Sequence, residues 1–99
     1  MAFKIEITVL AQEEYVSAYR YYEEQVYGLG ERFEAETESL INKLKSNPYL
    51  FQRKYKHYRE AVYRKLPYFI VYEIIGSSVI IHSFFHALRN PARKLKSRT

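Results

Sequence analysis

Tyr21-Tyr22-Glu23-Glu24-Gln25-Val26-Tyr27-Gly28-Leu29-Gly30-Glu31-Arg32-Phe33 is the stretch whose reading decides the fold, because a glycine break there separates two helical repeats. Before the break, Ala11, Tyr15, Ala18, Tyr19, Tyr22 and Val26 recur at steps of three, four and one, which places them on one face of a helix. After it, Leu29, Phe33, Thr37, Leu40, Ile41 and Leu44 form a second buried stripe. Glu31, Glu34 and Glu36 come early in this second helix and Lys43 and Lys45 late, each where the helix dipole favours its charge. Gly28-Leu29-Gly30 ends the first helix, and Asn47-Pro48 stops the second. So short a connection makes the pair an antiparallel hairpin.

Working outward, Phe3, Ile5, Ile7 and Val9 alternate with Lys4, Glu6 and Thr8, the period of a strand with one face buried. On the other side, Phe51–His57 is basic and aromatic and lacks Gly and Pro, so it reads as an ordered loop. Three strands follow, Tyr58–Arg64, Tyr68–Ile75 and Val79–His86, joined through Leu66-Pro67 and Gly76-Ser77-Ser78. Connections this short allow only antiparallel neighbours. The predicted architecture is α+β, in the order β-α-α-β-β-β. A helical hairpin covers one face of a small, mainly antiparallel sheet and leaves the other face for ligand chemistry. The place of the first strand in the sheet is open, and the tail Ala92–Thr99 is expected to fray.

With 99 residues, of which 47% are hydrophobic and 27% charged, the chain suits one globular domain rather than a disordered one. Eleven tyrosines mean that much of the core must come from rings with a polar tip. Cysteine is absent, which excludes disulfides and thiolate zinc sites and fits a reducing interior. The opening Met1-Ala-Phe-Lys-Ile-Glu-Ile shows no leader pattern, and no run approaches the ~18 apolar residues of a membrane span. A cytoplasmic protein is therefore expected.

Charge is divided along the chain. Residues 1–50 carry nine Glu against five Lys/Arg, a net of −4, and residues 51–99 carry eleven Lys/Arg against two Glu, a net of +9. Such a basic half, interleaved with aromatic residues, is the footprint of a surface that meets a polyanion or an acidic partner.

Within that half, period two sets Ile80, His82, Phe84 and His86 on one face and Val79, Ile81, Ser83 and Phe85 on the other. Arg59, Ala61 and Tyr63 oppose Tyr58, Glu60, Val62 and Arg64. An Arg/His/Tyr cluster suits phosphate, because Arg binds it with a fork, His exchanges protons near neutrality and Tyr stacks or donates. Each residue also has a plainer reading. His82 is a packed, hydrogen-bonded strand residue, Arg59 and Arg64 are edge charges that discourage aggregation, and Glu60 and Glu73 are solvated or paired carboxylates. The tyrosine stripe Tyr15, Tyr19, Tyr22 is core, and the cations from Arg93 to Arg98 keep the tail soluble. His82 and His86 stand about 13 Å apart at strand rise, too far to share a metal ion, so neither metal nor cofactor is expected.

The sequence resembles the RelE/ParE superfamily of toxins from type II toxin–antitoxin systems. Tyr21-Tyr22-Glu23, Gly28-Leu29-Gly30-Glu31-Arg32-Phe33 and Asn47-Pro48 carry the likeness across the helices. Tyr58-Arg59, Leu66-Pro67-Tyr68 with Tyr72, and His86-Ala87-Leu88-Arg89-Asn90-Pro91 continue it. The helical connection and the ending resemble the ParE side, which implies a non-enzymatic toxin that acts on DNA gyrase. The alternative branch implies a ribosome-dependent endoribonuclease. In that case Lys54 and Lys56 would hold RNA, Arg59 or Arg64 would stabilise phosphate charge, and His86 would transfer a proton. In either branch Arg53, Lys54, Lys56 and Arg89 are the expected nucleic-acid or target-binding residues, and a cognate antitoxin is the expected partner. A non-toxic nucleic-acid-binding module and a degenerate toxin are the remaining readings.

Overall fold

The computed structural model describes residues 2–88. Strand β1 (Lys4–Ile7) leads into helix α1 (Val9–Gln25), which turns back as α2 (Leu29–Ser46). A 3-10 turn, Pro48–Leu50, is followed by β2 (Arg53–Tyr55), β3 (Tyr58–Val62), β4 (Tyr68–Ile75) and β5 (Ser78–His86). Among the described residues these strands form a five-stranded sheet in the order β1-β5-β4-β3-β2. The α+β class and the β-α-α-β-β-β succession are as expected, with one strand more. The segment expected as a loop contains β2, which pairs antiparallel with β3 through Arg53↔Arg59 and Tyr55↔Tyr58. The first strand lies at the far edge, parallel to β5, with Ile5 opposite Val79 and Ile7 opposite Ile81.

Local chemistry accounts for the helix boundaries. Thr8 accepts the Ala11 amide on its Oγ1 at 3.1 Å and so caps α1. Gly28 takes the left-handed conformation at φ 87°, while Gly30 lies inside the first turn of α2. A Cβ on Gly30 would stand 2.8 Å from Glu23 Oε1 and 3.0 Å from the Tyr19 carbonyl oxygen, so the helices cross too closely there for any side chain. The Glu23 carboxylate accepts the Gly28 amide at 3.1 Å and the Gly30 amide at 3.0 Å, satisfying donors that the start of α2 leaves open.

The core lies between the helical hairpin and one face of the sheet, and its centre is Phe33. That ring stacks on Tyr63 at 5.4 Å and meets Tyr68 edge-on at 5.2 Å. Tyr15 and Tyr22 close around it at 5.3 and 5.7 Å. Hydroxyls in this aromatic interior find partners: Tyr72 donates to the Pro48 carbonyl at 2.6 Å, and Tyr63 pairs with the Thr37 hydroxyl, which itself donates to the Phe33 carbonyl. The Tyr22 hydroxyl is buried with no partner.

A bulge changes the predicted facing of β5. Val71 pairs with Ser83 and Tyr72 with Ile81, so His82 is an extra residue in the ladder and the alternation reverses after it. Phe84 packs against Tyr15 and His86 against Tyr68, both on the helical side. His82 instead meets Tyr58 and Glu73 on the opposite side. The expected shared face of His82, Phe84 and His86 is therefore corrected, because strict period two fails at a bulge.

Candidate target-binding surface

Among the described residues the open face of the sheet is not cationic. Strand β4 carries Glu73 as its one charged residue and β5 carries no Lys or Arg, so the cations border this face instead of lining it. Phe69 and Phe85 pack together on it at 5.4 Å, and Val71 is fully buried.

The basic residues that the structure does collect are on the β2–β3 hairpin. Arg53, Lys54 and Tyr55 are all exposed, followed at the tip by exposed Lys56 and His57. Lys56 occupies the left-handed region at φ 51°, the one non-glycine residue among those described to do so. Such a conformation costs an ordinary side chain roughly 1 kcal/mol, so it persists only where neighbours enforce it. Here the two-residue tip between paired Tyr55 and Tyr58 demands a positive φ, and beside it His57 Nε2 lies 3.1 Å from Glu73 Oε1 on β4. The second oxygen of that carboxylate holds His82 Nε2 at 2.5 Å, and Tyr58 packs on both imidazoles. One largely buried carboxylate thus ties the tip of the hairpin to the sheet. Among the described residues no group of three His, Cys, Asp or Glu is arranged to hold a metal ion.

Two aromatic rings flank the cations. The Lys56 ammonium lies 5.3 Å from the Tyr55 ring centre, and the Arg59 guanidinium 5.2 Å from that of Tyr49. Both are within range of a cation–π attraction. Arg59 also donates from Nη1 to the Phe51 carbonyl at 2.6 Å, which fixes the 3-10 turn against β3. No ion pair among the described residues ties Arg53, Lys54 or Lys56 to a carboxylate.

Arg64 and His86 are elsewhere. Tyr63 donates its amide to the Tyr68 carbonyl, and Tyr68 faces His86 in register, so Arg64 and His86 border one end of the sheet. Arg59 faces Tyr72 at the other end, on the order of 15 Å from Arg64 at strand rise. Glu36 Oε1 accepts the amides of Arg64 at 2.9 Å and Lys65 at 3.3 Å, fastening that corner to α2. His86 accepts the Leu88 amide on Nδ1 at 3.1 Å, which puts the proton of its neutral ring on Nε2. Arg89, together with the tail from Ala92 to Thr99, lies outside the described residues.

The sequence named Arg53, Lys54 and Lys56 as candidates and marked Glu73 as a solvated or paired carboxylate, which here is paired with two histidines, while Tyr49 and Tyr55 were not singled out. A detectable signal was present, since Arg53 and Tyr55 alternate with Lys54 before a two-residue tip, the pattern of a short hairpin.

No helix among the described residues is long and apolar enough to cross a membrane. A family model described as the ParE toxin of the type II toxin–antitoxin system parDE matches residues 5–91. No curated protein matches the sequence. Among solved structures, the chain is similar to one described as the chromosomal ParDE TA system from P. aeruginosa, with a TM-score of 0.75 and 11% identity over 86% of this chain and 96% of that one. At that identity the structural likeness speaks for the fold, while the sequence match spans both helices and all five strands. The chain belongs to the ParE toxin family of type II toxin–antitoxin systems.

Proposed function

We propose that this chain is a cytoplasmic toxin that arrests growth by acting on DNA gyrase and is held inactive by a bound cognate antitoxin. The observation that carries the reading is the family match over residues 5–91. It is supported by the exposed cationic hairpin, which gives a protein or nucleic-acid target a place to bind. Arg53, Lys54, Lys56 and Arg89 are the proposed contacts. The reading needs no catalytic residue, in keeping with an Arg59 committed to Phe51 and Tyr49 and far from His86 and Arg64. An acidic antitoxin segment laid over the hairpin would neutralise it, and steering between such opposite charges would weaken with salt.

The direct test is a supercoiling assay with purified gyrase. The chain should block supercoiling and accumulate cleaved DNA, and addition of the antitoxin encoded beside it should restore activity. Unaffected supercoiling, with messenger cleavage on programmed ribosomes, would replace this mechanism with the ribonuclease one. In that event His86→Ala should lower the cleavage rate by about 10²–10⁴.

A further inference from the structure

We infer that the outer edge and tip of the β2–β3 hairpin, Arg53, Lys54, Tyr55 and Lys56, bind an unpaired nucleic-acid strand. This rests on reading the hairpin as the target-facing surface, but not on which target it meets. Three observations converge on it. Among the described residues the cations are exposed with no carboxylate partner, and Arg53 to Lys56 spans about 10 Å, enough to follow successive phosphates of an extended strand. Lys56 stands at the tip in a left-handed conformation that the two-residue turn requires and that glycine would adopt without strain. A charged side chain at so strained a position points to a use for the charge.

The third observation selects the ligand. Tyr55 is 46% exposed, and its ring centre lies 5.3 Å from the Lys56 ammonium. A ring held beside cations but open to solvent is a stacking platform, and bases stack on such rings with little regard to sequence. An acidic peptide would use the cations and leave the ring idle. A duplex would offer phosphates but hide its base faces in the stack. A single strand uses both.

Fluorescence anisotropy of a labelled 12-nucleotide thymidylate strand, titrated with the full chain over a salt series, tests this. The strand should bind more tightly than a duplex of equal length. Lys56→Gly should flatten the log–log salt slope by about 0.7, the share of one phosphate contact, while thermal stability stays the same or rises. Tyr55→Leu should weaken binding about tenfold with the slope unchanged. Binding unaltered in both variants, or equal binding of duplex and single strand, would overturn the inference. So would binding of a labelled poly-glutamate peptide without any strand binding, which would make the hairpin edge an acidic-peptide site. Strand binding with intact gyrase supercoiling would leave this inference standing and remove the gyrase mechanism. Gyrase inhibition without strand binding would do the reverse.

Discussion

Glu23 bonds two amides with one carboxylate, and through them it closes the joint between the helices. Glu23→Ala should therefore leave two donors at the start of α2 unsatisfied and cost about 1–3 kcal/mol in urea unfolding. Gly30→Ala should be comparably destabilising, because its methyl group would meet Glu23 and the Tyr19 carbonyl oxygen, and backbone cannot move aside as a flexible side chain can. The Tyr22 hydroxyl works in the opposite direction. It is buried among rings without a partner, so Tyr22→Phe should be neutral or stabilising by up to about 1 kcal/mol in the same assay. The glycines of Gly28-Leu29-Gly30 were legible as a helix break, since that depends on backbone freedom alone. The role of Glu23 was not, because its partners are met only when the chain has turned back on itself.

Strand β3 is held by its ladder to β4, whereas β2 and the tip are exposed and the tip meets the sheet through His57 and Glu73 of β4. Loss of that carboxylate should free the tip while the aromatic core, on the other side of the sheet, stays intact. Glu73→Ala should accelerate amide hydrogen exchange at Tyr55–Tyr58 and leave β5 protection within about threefold of the parent. Equal acceleration in both strands would show Glu73 to be a general support of the fold instead of a local anchor. The sequence signalled the strands as apolar alternations and α2 as a stripe. It failed in β5 because the extra residue at His82 leaves no local mark: a bulge is a relation between two strands, and here it turns His86 toward Tyr68. Of the two arginines that could have joined His86, Arg64 borders its end of the sheet and Arg59 does not, since opposite ends of β3 cannot meet one point on β5.

Across the molecule, tyrosines share the interior with aliphatic side chains, and their burial sets its response to alkali. Burial pushes the hydroxyls of Tyr15, Tyr22 and Tyr72 up to about 12, and it raises Tyr63 as well, outweighing the opposing hydrogen bond to Thr37. The folded state thus holds these protons more tightly than the unfolded chain, in which tyrosine titrates near 10. The stabilisation is complete below about pH 10 and is lost as pH rises through about 12. Circular dichroism should show a cooperative alkaline unfolding in that window, and Tyr63→Phe should shift it upward. Retention of native signal beyond pH 12 would mean that the rings ionise without penalty.

Periodicity, charge division and glycine placement are properties of neighbouring residues, so the helical hairpin, the sheet behind it and the basic character of the second half could be read along the chain. Partners across the sheet are another matter. The edge position of β1, the bulge at His82, the Glu73 clamp and the meeting of Tyr49 with Arg59 all join residues distant in sequence, and each depends on register. Register arises from the packing of the whole core at once, and for that reason the sequence could name the cations but not the surface that assembles them.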